Sequence, residues 1–321
     1  MNSNARSLRI VFCIAASVAL LHSSLVSAQS TVEDMYAITA DKKLLRLDLN
    51  TAAGTLVATL DVVGSPFGLA SIRETHGVGA SLWLITTSNR LYQVDPYTGK
   101  LLRTNILSLP ASSGGGLAWS SSYFDFGVYV AQTLNGSGTL ARMDYYTGTS
   151  VILGALSPPM EGLETSYNGN LFGLSAGSSP SLYLIDRTNG ATTLIGLLGI
   201  SVPGFPYGAL TMYGGLPGEV YAALSSANES RLYELDPTGT AVFRGQIGFP
   251  RVAGLALHVR QPGPLSIRRV GTNVLVSWPQ TNGGYLWRRS NGSQFGTWEF
   301  RTTFPATNRM DLFYLSPLPP L

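Results

Sequence analysis

Cysteine and histidine are nearly absent from this 321-residue chain. The single cysteine, Cys13, lies in an apolar run near the N-terminus, so the rest of the chain has no disulfide bond and no cysteine nucleophile. Beyond residue 28 only His76 and His258 remain. The sequence also has no Gly-x-Ser-x-Gly, Walker-type, His-Glu-x-x-His or Asp-x-Asp-x-Asp pattern, so we expect no cofactor and no metal site.

The N-terminus has the order of a secretory signal peptide. Arg6 and Arg9 precede an apolar run at 10–21, and a small-residue cleavage site ends at Ala28. We therefore expect residues 1–28 to be removed and the protein to be exported, to the periplasm, the cell surface or the medium. The alternative is a buried N-terminal helix. No later segment has the ~20 continuous apolar residues that a membrane span requires.

Charge is scarce in the rest of the chain. Without the two arginines of that first segment, 19 basic residues remain beside 18 acidic ones, so the composition does not imply a nucleic-acid partner. Charged residues make up only 12% of the chain, whereas glycine occurs 36 times. No long amphipathic helix pattern is present, and this composition predicts an all-β protein of short strands and many turns.

Two markers recur along the chain with a period of about 47 residues, which is typical of a repeat architecture. The first is a glycine that opens a short apolar strand, at steps of 48, 46, 46 and 46 residues: Gly68, Gly116, Gly162, Gly208 and Gly254. The second is an aspartate after an apolar residue, at steps of 47, 49, 42 and 50 residues: Asp48, Asp95, Asp144, Asp186 and Asp236. Two markers with one period indicate five copies of one structural unit.

Each unit is predicted to contain four strands. In the second unit they are 116–120, 127–132, 139–145 and 150–156. The last two are joined by a turn that Asp144 opens, by accepting hydrogen bonds from the amides ahead of it, and that Gly148 closes with a positive φ. Because each repeated aspartate is explained by its own turn, we infer no metal site from them.

The two ends of the repeat are out of phase. Residues 35–61 supply only the second, third and fourth strands of a unit, and residues 252–259 supply only the first. Together they complete one blade, which predicts a five-bladed β-propeller over residues 29–260, closed by a blade shared between its N- and C-terminal strands and without a free sheet edge. A solenoid, the alternative, would need capping units at both ends.

The pattern Leu-Tyr-x-x-Asp-x-x-Thr-Gly at 91–99 resembles the repeats of the YVTN-like and quinoprotein-like β-propeller superfamily. The resemblance extends over about 35–260 and implies a WD40/YVTN-like propeller fold more than any particular activity. The docking tryptophans of the quinoprotein enzymes are not matched, because Trp83 and Trp119, the two tryptophans of the ring, occupy different positions in the repeat.

Beyond a Gln-Pro-Gly-Pro linker at 261–264 the repeat stops. Short alternating strands are predicted at 265–270, 273–278, 284–289 and 298–303. The run at 274–279 and those after it resemble a small β-sandwich module that ends many exported proteins of Verrucomicrobia and Planctomycetes, here residues 265–321. The sequence departs from that family at Trp287 and in its short end at 311–315, which leaves open whether the module is complete.

The connections between blades carry the candidate site. In a propeller they gather on one face, around the mouth of the central channel. Aromatic faces beside a few polar groups suit a sugar or peptide pocket, whereas the alternative is that these side chains only plug the channel. We predict that the ligand-binding residues are Phe67, Glu161, Phe205, Tyr207, Phe249 and Arg251.

Two functional hypotheses follow. The favoured one is an exported, non-enzymatic propeller that binds a glycan, peptide or protein through this loop-rich face. The alternative is a hydrolase or lyase that acts on a glycan or peptide through carboxylates, with Glu161 and Glu164 as the candidates, because glycosidases need two carboxylates at a controlled separation. The enzyme requires at least two convergent ionisable groups with perturbed pKa values, whereas the binding protein requires only a concave, partly aromatic surface.

Overall fold

The computed structural model describes residues 33–73, 80–122, 125–166, 168–200, 206–213, 219–259, 266–270, 273–277, 284–289, 298–304 and 313–315. All regular elements in these ranges are β-strands. The predicted signal peptide, the linker, His76 and Phe205 lie outside the described residues.

The ring consists of twenty strands. The first three are β1 (Glu33–Thr39), β2 (Lys43–Leu47) and β3 (Gly54–Thr59). Blade 1 comprises β4 (Pro66–Arg73), β5 (Ala80–Thr86), β6 (Arg90–Val94) and β7 (Leu101–Ile106). Blade 2 comprises β8 (Gly115–Ser122), β9 (Asp125–Leu134), β10 (Ser137–Met143) and β11 (Ser150–Leu156). Blade 3 comprises β12 (Gly162–Thr165), β13 (Leu171–Ser175), β14 (Ser181–Ile185) and β15 (Thr192–Leu197). Blade 4 comprises β16 (Tyr207–Tyr213), β17 (Glu219–Ser225), β18 (Ser230–Leu235) and β19 (Ala241–Gln246), and β20 (Val252–Val259) ends the ring.

Each blade is an antiparallel four-stranded sheet. Blades 1 to 4 follow chain order, and the fifth sheet has the order β20-β1-β2-β3, which we call the shared blade. In it, Met35 of β1 lies opposite Leu257 of β20, and Ala37 lies opposite Leu255. The predicted five-bladed propeller and its closure by strands from both ends of the repeat are therefore confirmed.

The core is divided among the spaces between blades. Five clusters of buried apolar side chains occur in the described part of the chain, one at each interface between neighbouring blades. Trp83, which is fully buried, belongs to the cluster between blades 1 and 2, and Tyr36 belongs to the cluster between the shared blade and blade 1. Because an open array of five units has only four interfaces, five clusters require a closed ring.

The marker glycines bring the innermost strands of neighbouring blades close together. A Cβ atom at Gly116 would lie 2.6 Å from the backbone nitrogen of Leu163 in blade 3, and one at Gly254 would lie 2.6 Å from that of Leu69 in blade 1. Such distances leave no room for a side chain, so glycine is required for the backbones to approach. Gly208 differs, because a Cβ there would instead lie 3.2 Å from the Cβ of Glu161.

The repeated aspartates form the turns at the outer rim. The Oδ1 atom of Asp144 accepts hydrogen bonds from the backbone nitrogens of Tyr146 (2.7 Å) and Thr147 (3.1 Å), and Asp48 and Asp95 make the same pair of bonds. Asp186 accepts a bond from the nitrogen two residues ahead, and Asp236 accepts bonds from the nitrogens two and four residues ahead. Four of the turns close on a glycine with a positive φ: Gly99, Gly148, Gly190 and Gly239. The turn of the shared blade closes on Ala52, with a φ of 63°.

A third repeated position lies on the outermost strand of each blade. Its fifth residue contacts the aspartate turn of the next blade, and it is glycine in three blades, alanine in one and asparagine in one: Gly154, Gly196, Gly245, Ala58 and Asn105. A Cβ at Gly154, for example, would run into the carbonyl group of Asn189. The irregular identity of this position explains why the sequence does not reveal it.

The C-terminal strands are β21 (Ser266–Val270), β22 (Asn273–Ser277), β23 (Gly284–Arg289), β24 (Trp298–Phe304) and β25 (Phe313–Leu315). β22 pairs with β21 and β25, and β23 pairs with β24, so two small antiparallel sheets are present. The first four agree with the predicted strands to within one residue at each end. The sandwich arrangement stays a prediction.

Candidate functional site

A cavity of about 240 Å³ lies where the connections between blades converge. The residue immediately before the marker glycine lines it in every blade, so each blade contributes one equivalent position: Phe67, Gly115, Glu161, Tyr207 and Ala253. We call this space the mouth cavity. The repeat thus places five different residues at one site, because the strands that carry them are related by the ring.

The glutamate of blade 3 is held in place by its backbone and its carboxylate. The backbone nitrogen of Glu161 donates to the carbonyl oxygen of Leu174 (2.9 Å), and its Oε2 atom accepts a hydrogen bond from the nitrogen of Ala176 (2.7 Å). Burial raises the pKa of Glu161 to about 7, although the hydrogen bonds that its carboxylate accepts from the backbone N–H groups of Ala176 and of Glu161 itself act in the opposite direction. The small residue at 208 leaves room for the stem of this side chain.

Arg251 also lines the mouth cavity. Its backbone oxygen accepts a hydrogen bond from the nitrogen of Ala40 (2.8 Å), and its backbone nitrogen donates to the oxygen of Ser226 (3.1 Å). These bonds hold the residue at a φ of 59°, a left-handed conformation that is uncommon for a residue with a side chain. Arg251 is exposed, and these two bonds fix its backbone.

Four of the six predicted site residues meet in the mouth cavity: Phe67, Glu161, Tyr207 and Arg251. The ring of Phe249 does not line it. That ring packs on the cluster between blade 4 and the shared blade, with the ammonium of Lys43 5.9 Å from its centre. Phe205 is outside the described residues. That these residues bind a ligand stays a prediction.

Glu164 lies on β12 but does not line the mouth cavity. Its Oε2 atom accepts a hydrogen bond from the hydroxyl of Thr211 (3.1 Å), and that hydroxyl oxygen accepts one from the nitrogen of Leu257 (3.1 Å). The side chain thus connects three of the five innermost strands. The two glutamates that the enzyme hypothesis requires therefore do not both line the mouth cavity.

His258 is fully buried on β20, and its Nδ1 atom lies 3.2 Å from the hydroxyl of Ser71. Its ring also makes an edge contact with Tyr36, with 5.8 Å between the ring centres. These contacts agree with a structural histidine.

The sequence did not point to the hydroxyl residues of the mouth cavity. Ser65, Thr87 and Ser113 line it, and they follow either the outermost or the second strand of a blade. Both kinds of connection lie on one face of a propeller. The signal available in the sequence was therefore position: a residue that follows the predicted outermost or second strand of a blade is expected on this face.

The described residues contain no group of three or more His, Cys, Asp or Glu side chains that could hold a metal ion. Nor does this part of the chain contain a helix long and apolar enough to cross a membrane.

No protein-family model and no curated protein matches the chain. Among solved structures, it is similar to a chain of a nidogen/laminin complex, at 13% identity over 85% of this chain and 94% of that one, with a TM-score of 0.43. A protein of unknown function from Bacteroides caccae is 11% identical over 71% of this chain and 99% of its own, with a TM-score of 0.38. TolB from Acinetobacter baumannii is 13% identical over 76% and 60%, with a TM-score of 0.35.

Proposed function

We propose that this protein is an exported, non-enzymatic β-propeller of the YVTN-like kind that binds a glycan, peptide or protein through its mouth cavity. The observation that carries the proposal is the convergence of five equivalent positions, one from each blade and each occupied by a different residue, on one cavity. At the turn aspartates and the marker glycines, by contrast, the blades repeat the same residue for the same structural reason. Aromatic, acidic and neutral residues at one repeated position are what selective binding needs.

The chemistry of the cavity wall supports this proposal. Phe67 and Tyr207 offer aromatic surface, Glu161 and Arg251 offer one group of each charge, and hydroxyl residues complete the wall. A few polar groups on an apolar wall orient a ligand and give specificity. The C-terminal strands would serve as a spacer or attachment module.

One observation favours the alternative, a carboxylate-dependent hydrolase or lyase. The pKa of Glu161, raised to about 7 by burial, suits a group that donates a proton near neutral pH. However, the other glutamate of this strand is bound to Thr211 away from the mouth cavity, so a second carboxylate does not accompany Glu161 there. A single carboxylic acid suits binding better than glycoside hydrolysis.

A glycan and peptide array probed with the full chain tests the proposal. We expect a bound ligand whose signal falls at least ten-fold in Tyr207→Ala and in Glu161→Gln. Leu102→Ala, an exposed residue on the outermost strand of blade 1, is the matched control and should bind as the natural protein does. A ligand that binds all three variants equally would refute the mouth cavity as the site.

The same array separates binding from catalysis, and a separate experiment tests export. Cleavage of an arrayed ligand by the natural protein, lost in Glu161→Gln, would support the enzyme instead. For export, cell fractionation and N-terminal sequencing should find a chain outside the cytoplasm that begins at Gln29. Recovery of residue 1 in the cytoplasmic fraction alone would contradict export.

A further inference from the structure

The mouth cavity carries two opposite charges that do not neutralise each other. Glu161 and Arg251 both line it, yet the ion pairs among the described residues do not join them. The Glu161 carboxylate accepts hydrogen bonds from the backbone N–H groups of Ala176 and of Glu161 itself, which leaves acceptor capacity on a side chain that is mostly withdrawn from water. Buried charge without a partner is costly, so a ligand that supplies the partner gains from it.

The backbone around the cavity has little donor capacity to offer. Seven of its amide N–H groups already donate within the protein, and Pro66 and Pro206 have no N–H. The seven belong to Ala40, Ser65, Thr87, Ser113, Gly114, Glu161 and Arg251. An anionic group of a ligand would therefore be bound by the Arg251 guanidinium and not by backbone N–H groups. The Glu161 carboxylate would accept hydrogen bonds from N–H donors of the ligand.

The size of the cavity limits the ligand. Its volume of about 240 Å³ is below the roughly 300–1,000 Å³ typical of sites for drug-sized ligands. Phe67 is almost fully buried and Tyr207 is half-buried, and both line the cavity.

We propose that the mouth cavity binds a small ligand with a protonated α-amine, a carboxylate and an apolar side group, which is the chemistry of a free amino acid. Glu161 receives the ammonium group, Arg251 receives the carboxylate, and Phe67 and Tyr207 contact the side group. This inference rests on the proposed function and specifies its ligand.

The pH dependence of binding follows from the ionisation of Glu161. The other titratable groups of the cavity are Tyr207 and Arg251, and Glu164 is on the strand that follows. With the pKa of Glu161 at about 7, the ionised fraction of its carboxyl rises from about 0.1 at pH 6 to about 0.9 at pH 8. An ammonium ligand binds the ionised form, so its affinity should rise about ten-fold over that interval. A ligand that binds as an anion to the protonated site would show the opposite trend.

Titration calorimetry on the full chain tests this proposal with three probes. L-Leucine carries both groups, isoamylamine lacks the carboxylate and N-acetyl-leucine lacks the charged amine. We expect leucine to bind tightest, isoamylamine about ten-fold more weakly and N-acetyl-leucine not detectably. Leucine should also bind about ten-fold more tightly at pH 8 than at pH 6. Equal affinity for N-acetyl-leucine, tighter binding at pH 6, or no binding of either amine at millimolar concentration would overturn the proposal.

Three variants assign the groups. Glu161→Gln should weaken leucine binding at least ten-fold at pH 8 and abolish its pH dependence, and Arg251→Gln should make leucine and isoamylamine equivalent. Glu164→Gln, a matched glutamate outside the cavity, should leave both affinities unchanged. A thermal unfolding midpoint measured for each variant shows that it is folded. If an arrayed ligand depends on Tyr207 but neither amine binds, the proposed function stands and its ligand class is wrong; if the arrayed ligand is also indifferent to Tyr207, both are wrong.

Discussion

The outer rim and the mouth cavity are built from the same five repeats, yet they use them differently. At the rim, every blade has an aspartate whose Oδ1 atom accepts a hydrogen bond from the backbone nitrogen two residues ahead. At the mouth, the five equivalent positions carry phenylalanine, glycine, glutamate, tyrosine and alanine. The rim is therefore repeated in sequence and structure, and the mouth is repeated in structure alone.

The difference has a physical cause. A rim turn is a local structure that each blade must form for itself, so the same residue is needed five times. The mouth positions face one common space, and five identical large side chains would compete for it. Residues there are free to diverge in chemistry. In a ring of repeats, a position that varies in identity between blades and also faces a common cavity is where selective binding is to be sought.

The largest expected effect concerns a repeated glycine beside the mouth. In Gly116→Ala the new methyl group would lie 2.6 Å from the backbone nitrogen of Leu163, and a backbone atom cannot move aside as a side-chain end can. We expect the free energy of unfolding to fall by about 3 kcal/mol, as for severe overpacking. Chemical denaturation measures the change.

The matched control is Gly114→Ala, two residues away in the unrepeated segment. A Cβ at Gly114 meets no atom of the described residues within 4 Å, so its stability should change by less than about 0.5 kcal/mol. Equal losses in the two variants would show that close approach of the blades does not explain the marker glycine.

The second prediction concerns the pH dependence of stability. The pKa of Glu161 is about 7 in the folded protein and near 4.5 in the unfolded chain, so the folded state holds the proton more tightly. The resulting stabilisation is complete below pH 4.5 and is lost as the pH rises through 7. From pH 5 to pH 8 we expect the free energy of unfolding to fall by about 2 kcal/mol on account of this group.

Glu161→Gln removes the ionisation but keeps an oxygen that can accept the hydrogen bond from Ala176. The free energy of unfolding of this variant should therefore not fall between pH 5 and pH 8, and the variant should be more stable than the natural protein at pH 8. Glu164→Gln serves as the comparison and should retain the loss. A natural protein whose stability is flat between pH 5 and pH 8 would contradict the burial of the Glu161 carboxyl.

The third prediction tests the equivalence of the rim turns. Asp144→Ala removes the acceptor for two backbone N–H groups, and Asp95→Ala does the same in blade 1. By analogy with helix caps, each should cost about 1 kcal/mol of unfolding free energy. Asp144→Asn, which keeps one oxygen acceptor, should cost less. If the two alanine variants lose clearly different amounts of unfolding free energy, the two rim turns are not equivalent in stability although they make the same hydrogen bonds.

The smallest effect is expected at the one rim turn without a glycine. Ala52→Gly relieves the positive φ of 63° but removes a fully buried methyl group. Relief of the left-handed conformation gains about 1 kcal/mol and the lost methyl costs about 0.8 kcal/mol. Thermal unfolding should therefore show almost no change, and a large gain would indicate that the methyl group packs poorly.

The fold was predictable because its determinants are local and repeated. Asp144 explains its own turn, Gly116 marks its own strand, and the absence of a first strand before Met35 predicts the pairing with Leu257. The site was predictable in part for the same reason. The residue before each marker glycine lines the mouth cavity because position in the repeat determines position in the ring.

Other features depend on contacts between distant parts of the chain. Burial sets the pKa of Glu161, and burial comes from neighbours on two other elements. Phe249 precedes Arg251 by two residues, yet its ring packs near Lys43 and on the cluster between blade 4 and the shared blade. Glu164 is engaged by Thr211, 47 residues away. The repeat reveals where a backbone runs, whereas the neighbours decide where each side chain goes.

The pairing of β1 with β20 has a consequence for the order of assembly. The ribosome makes β1 near the start of the ring and β20 at its very end, so the fifth sheet lacks its innermost strand until residue 259 has been synthesised. Until then the edge of β1 is open, and the interfaces on both sides of the shared blade lack the side chains of β20. The shared blade, and with it the closed ring, can therefore be completed only after the last strand of the ring has been synthesised.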